Sequence, residues 1–123
     1  MKTAQRLGAQ GELFVTRVFN RAGIHAVNIP DGLDYDVLAA NDVKIEVKTA
    51  RKGKDNRYNF TLWKDGHANH IHTDYVIFLC VHPSGKITSF FVPTYELITV
   101  NKFSFVSPEN YSGRLAKYRF SQA

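Results

Sequence analysis

The chain has 123 residues, 44% of them apolar and 13% aromatic, which is enough to bury one core and too much for a disordered polymer. Lys and Arg outnumber Asp and Glu by 16 to 11, and the resulting charge of +5 favours polyanionic partners without selecting one. No apolar run approaches the roughly 18 residues of a membrane span, and no charged-then-apolar leader is present, so the expectation is a single domain that is cytoplasmic or nucleoid-associated, not secreted and not membrane-bound.

Thr3 to Ala22 carries apolar or small residues at Ala4, Leu7, Gly11, Phe14, Val15, Val18 and Ala22, the spacing of one helical stripe, with Gly23 as the stop. Glu12 falls on the shoulder of that stripe. Strands are expected at Ile24 to Ile29, Tyr35 to Ala40 and Val43 to Thr49, the last two joined by Asn41-Asp42. A charged loop from Arg51 to Arg57 follows, then a strand from Tyr58 to Trp63 and a polar, histidine-rich loop from Lys64 to Thr73. Asp74 to His82 is the most apolar strand and is expected at the centre; its lone Cys80 is read as a core residue and excludes an intrachain disulfide or a multi-cysteine zinc site. Pro83 to Lys86 turns the chain into Ile87 to Val92, followed by a helical turn at Thr94 to Thr99 and a short strand at Phe103 to Val106. The tail from Glu109 to Phe120 reads equally as helix or extended chain. The fold class is α/β (α+β), with a mostly antiparallel sheet.

One segment carries chemistry. Alternate residues of a strand share a face, so Ile45 and Val47 point one way while Lys44, Glu46 and Lys48 point the other. A hairpin centred on Asn41 sets Asp36 directly across from Glu46, with Cβ atoms about 4.5–5.5 Å apart. Like charges so placed destabilise a sheet, and a divalent cation between them reverses that effect. Asp36 and Glu46 are therefore candidate ligands for Mg2+, with the Val47 carbonyl as a third donor. Lys48 is placed to assist an attacking water or a charged phosphate. A two-residue loop pairing Ala40 with Val43 would instead separate the two acids.

An acidic helix, then "DYDVLA", then "IEVKTA" resembles the PD-(D/E)xK nuclease superfamily, in particular its restriction-like homing endonucleases and archaeal Holliday-junction resolvases. The resemblance covers about residues 8 to 50. It implies a restriction-endonuclease-like core with the N-terminal helix packed on the sheet, and metal-dependent hydrolysis of duplex or branched DNA by a homodimer or homotetramer. It further implies Asp36 and Glu46 as ligands of Mg2+ (or Mn2+), Lys48 as the catalytic lysine and Glu12 as an accessory metal-site acid. Two departures stand out. Tyr35 replaces the proline before the aspartate, leaving Asp34 as a competing acid, and residues 50 to 73 lack the helical period the superfamily usually has there. A catalytically inert DNA-binding module on the same scaffold is the alternative.

Arg51, Lys52, Lys54 and Arg57 read as a DNA-backbone-gripping loop or a solvated one. His67, His70 and His72 suit a polar loop near substrate, His70 foremost, better than a zinc site. Trp63 suits stacking or core packing, and Phe90, Phe91, Tyr95, Phe103 and Phe105 suit a core or a subunit interface. Arg114, Lys117 and Arg119 read as a basic surface.

Overall fold

The computed structural model describes residues 3–29, 35–64, 67–68 and 72–120. Helix α1 spans Thr3–Arg21. It ends as the glycine signal predicts: Gly23 takes a φ of +83°, its N–H reaches Asn20 O, and Ile24 N–H reaches Phe19 O at 2.9 Å. This double closure satisfies carbonyls that the last turn leaves open.

Ten strands follow among the described residues: β1 (Ala26–Asn28), β2 (Val37–Ala39), β3 (Val43–Arg51), β4 (Tyr58–Thr61), β5 (Trp63–Lys64), β6 (His67–Ala68), β7 (Tyr75–Val81), β8 (Ile87–Pro93), β9 (Lys102–Phe105) and β10 (Arg119–Phe120). Six form the main sheet in the order β1-β2-β3-β7-β8-β10. Every pairing in it is antiparallel except β3 with β7, which is parallel. Strand β7 lies inside the sheet and Val76 to Cys80 are all buried, as a strand covered on both faces should be.

Each face has its own core. Helix α1 covers one, where Val15 packs with Ala26, Val37, Ile45, Val47, Ile77 and Leu79. Gly11 lets the helix approach closely: a Cβ built there would stand 2.0 Å from Thr49 Oγ1 and 3.2 Å from Leu79 Cδ1. The opposite face buries Val76, Phe78, Cys80, Phe90 and Val92 under the β4–β9 ribbon and the carboxy-terminal segment. Phe105 stacks on Phe90 with centroids 4.4 Å apart and planes 8° from parallel. Phe90 and Phe105 are therefore core residues, while Tyr95 is 69% exposed.

Strand β4 pairs with β9 outside the main sheet, and Tyr58 and Phe60, buried on one side of it, make it a cover for the second face. Two expectations need correction. The expected loop at Lys64 to Thr73 contains the two-stranded β5–β6 ribbon, since main-chain pairing over two residues needs no apolar pattern. Arg119 is not simply surface charge. Its guanidinium donates to Pro108 O and Tyr111 O and lies over the Phe90 ring, pinning β10 to the sheet edge.

Candidate active site

The geometry rests on one turn. Residues Ala40–Asp42 form a 3-10 turn in which Asn41 and Asp42 adopt φ of 66° and 61°, a left-handed conformation that Asn and Asp tolerate better than most residues. The ladder then pairs Val37 with Ile45, Leu38 with Lys44 and Ala39 with Val43. This is the register centred on Asn41, so Asp36 and Glu46 emerge on one face, opposite α1.

Asp36 lies just before β2 begins. Its N–H donates to Ile45 O at 2.9 Å, and its Oδ2 accepts from Val47 N–H at 2.9 Å. The carboxylate thus takes over the ladder position that a further β2 residue would have filled. In a strand the N–H and C=O of one residue point to the same side, so the Val47 carbonyl also faces the space beside Asp36.

Glu46 is largely enclosed, with 13% of its side chain exposed, and its Oε1 stands 3.5 Å from Lys48 Nζ. Its carboxyl is raised to about 7, first by burial and then by the neighbouring Asp36, with Lys48 partly offsetting both. The two carboxyls lie within hydrogen-bonding reach of each other. Burying two like charges together is costly unless a proton or a cation intervenes. The donors are all oxygen, which suits a hard divalent ion such as Mg2+.

Glu12 sits elsewhere. It projects from the α1 side, where Oε1 accepts from Asn28 Nδ2 at 3.3 Å on β1. Asn28 pairs with Val37, one residue from Asp36, so Glu12 reaches the same sheet edge from the opposite face. No group of three or more His, Cys, Asp or Glu forms a metal cluster among the described residues. Asp34 and His70 lie outside the described residues, His67 is described by its backbone alone, and His72 is exposed. Asp74 secures the main chain: its Oδ2 accepts from Lys44 N–H and its own N–H donates to Lys44 O, both at 2.8 Å.

Arg51, Lys52, Lys54 and Arg57 are all exposed. Strand β3 carries Arg51 about 10 Å beyond Lys48, three residues at about 3.3 Å each. The loop beyond is shaped by Asp55, which accepts from Arg57 N–H and Asn59 Nδ2, and by Asn56 at φ 66°. Its cations therefore stand along the sheet from the acids rather than against them. Sequence reasoning had passed over Asn28, which carries no signal of its own, and Tyr35, whose ring lies under the Lys44 ammonium at 5.3 Å.

No helix is long and apolar enough to cross a membrane among the described residues. No protein-family model and no curated protein matches the chain. Solved structures do. A bacterial homing endonuclease superposes with a TM-score of 0.71 over 97% of this chain and 88% of its own, at 16% identity. Hjc, a Holliday junction resolvase from the archaeal hyperthermophile Archaeoglobus fulgidus, superposes with a TM-score of 0.52 over 80% of this chain and 82% of its own, at 18% identity. With one N-terminal helix packed on a mixed, mostly antiparallel sheet, the chain has the restriction-endonuclease-like fold of these nucleases.

Proposed function

We propose that the chain is a metal-dependent endonuclease that hydrolyses phosphodiester bonds in duplex or branched DNA. The observation that carries this reading is the meeting of Asp36, Glu46 and Lys48 at the open end of the β2–β3 hairpin, on a scaffold shared with DNA-cutting enzymes.

In this reading Asp36, Glu46 and the Val47 carbonyl would hold Mg2+, with Mn2+ able to substitute. The ion would neutralise phosphate charge and acidify the attacking water. Asp36 is held in place by Val47 N–H, so its carboxylate keeps one geometry before and after substrate arrives. Glu46, enclosed and beside Asp36, would hold a cation in its ionised form, in place of the proton that burial favours. Lys48 offers N–H donors to the phosphate oxygens as their negative charge grows. The new bond joins water oxygen to phosphorus as that water gives up a proton to solvent, the bond to the leaving sugar oxygen breaks, and that oxygen takes up a proton from solvent. Glu12, bonded to Asn28 on the helix side of the sheet, would act only as an outlying accessory acid. The exposed basic residues Arg51, Lys52, Lys54 and Arg57 follow the DNA backbone away from the cut. Cutting both strands requires two such centres, hence a homodimer or homotetramer.

The test is cleavage of supercoiled plasmid and of a four-way junction with Mg2+ or with chelator, comparing the unaltered chain with Lys48→Ala. Metal-dependent cutting that the substitution abolishes supports the reading. No cutting of either DNA, combined with no Mn2+ binding by calorimetry that depends on Asp36 and Glu46, would leave an inert DNA-binding module.

A further inference from the structure

Beside the acids stands a fixed cation to which the reaction outlined above assigns no part. Lys44 shares the face of Glu46 and Lys48 by strand alternation, and it is exposed. Its backbone is clamped at both polar groups by Asp74. Its ammonium rests over the Tyr35 ring, 5.3 Å from the centroid. Tyr35 immediately precedes Asp36, so the platform and the first acid move as one piece. Among the described residues the ion pairs are Lys48 with Glu46, His82 with Glu109, and Arg114 with Glu96. Lys44 is in none of them. The Asp74 carboxylate, the acid bound to its backbone, is turned to the amide.

We propose that Lys44 binds a second phosphate of the DNA strand being cut, a few nucleotides from the scissile one, and that Tyr35 holds it in position. This rests on the endonuclease reading. Four residues of strand separate Lys44 from Lys48, about 13 Å. Lys48 is turned to Glu46 and Lys44 to Tyr35, so the two ammonium groups are held apart and serve different phosphates. A strand rising about 3.4 Å per nucleotide presents more than one phosphate over that length. An aromatic face attracts a cation without neutralising it, so the charge of Lys44 remains available to an anion. A carboxylate partner would have consumed it.

Equilibrium binding of a fluorescent duplex and a fluorescent four-way junction, in Ca2+ across a range of NaCl, tests this on the full chain. For Lys44→Met the slope of log affinity against log salt should fall by about 0.9, the loss of one phosphate contact on duplex DNA. Lys44→Arg should restore the slope, and thermal melting of both variants should match the unaltered chain. A slope unchanged in Lys44→Met on both DNAs overturns the proposal and leaves the endonuclease reading standing. A lost unit of slope in a protein that never cuts DNA with Mg2+ supports the contact and overturns the endonuclease reading instead. Absence of DNA binding by the unaltered chain overturns both.

Discussion

The Asp36 carboxylate accepts the Val47 N–H at 2.9 Å, filling the ladder position just before β2 begins. One oxygen of a candidate metal ligand is therefore also a structural acceptor, and the two duties are separable by mutation. Asp36→Asn retains an acceptor for Val47, whereas Asp36→Ala leaves a partly buried N–H unpaired, at a cost of about 1–3 kcal/mol. Both variants should lose Mn2+ binding by calorimetry, while only the alanine variant should melt early. Equal melting of the two would show that the Val47 contact contributes nothing.

Glu46 makes the metal-free protein pH-sensitive. Its carboxyl is raised from 4.5 to about 7 in the fold, so between those values the native state holds more protons than the unfolded chain. Stability from this group is therefore present at low pH and is lost as pH rises through about 7. Glu46→Gln should match the unaltered protein near pH 4.5 and be more stable by about 2–3 kcal/mol at pH 8, in chelator. Denaturant melts at the two pH values measure this. Metal affinity should run the opposite way, increasing from pH 6 to pH 8 because the proton competes with the cation. An affinity flat across that range contradicts the assignment of Glu46 as a ligand.

Lys48 pairs with Glu46 at 3.5 Å and is 24% exposed in its side chain. Without Lys48 the enclosed Glu46 carboxyl can keep its proton instead of a bare charge, so Lys48→Ala should fold normally. Its effect should appear in turnover, as a loss of about 100- to 1,000-fold in kcat, the scale of one lost charge-stabilising donor. A variant that cuts at full rate would remove Lys48 from the chemistry.

Gly11 is required by packing. An added Cβ would meet Thr49 Oγ1 at 2.0 Å and Thr49 Cβ at 3.2 Å, so Gly11→Ala must push α1 off the sheet, costing about 1–3 kcal/mol despite alanine's better helix propensity. Thr49 Oγ1 is buried without a hydrogen-bond partner among the described residues. Thr49→Ala removes that atom, so the double variant should recover part of the loss. Strict additivity of the two substitutions in denaturant melts would refute the contact.

Phe105, 1% exposed, joins the β4–β9 ribbon to the sheet through its stack on Phe90. Phe105→Ala should cost about 3–5 kcal/mol, a large share of a small domain's stability. A drop below 1 kcal/mol in urea melts would mean that the ribbon is only loosely attached.

Local signals carried much of the architecture. The helical stripe ending at Gly23, the apolar run of β7 and the parity of Lys44, Glu46 and Lys48 are all periodicities, and periodicity survives in one dimension. The hairpin register was not readable: the sequence allowed a turn centred on Asn41 or a two-residue loop, and the left-handed backbone of Asn41 and Asp42 selects the first. What no local pattern contained was which surfaces meet. That β4 leaves the main sheet to cover its second face, that Arg119 anchors an edge strand, that Glu12 approaches from the helix side through Asn28 and that Tyr35 lies beneath Lys44 were all decided in three dimensions. A strand's pattern reports how deeply each face is buried; it does not report the partner, since apolar contact is non-directional and many neighbours satisfy it equally.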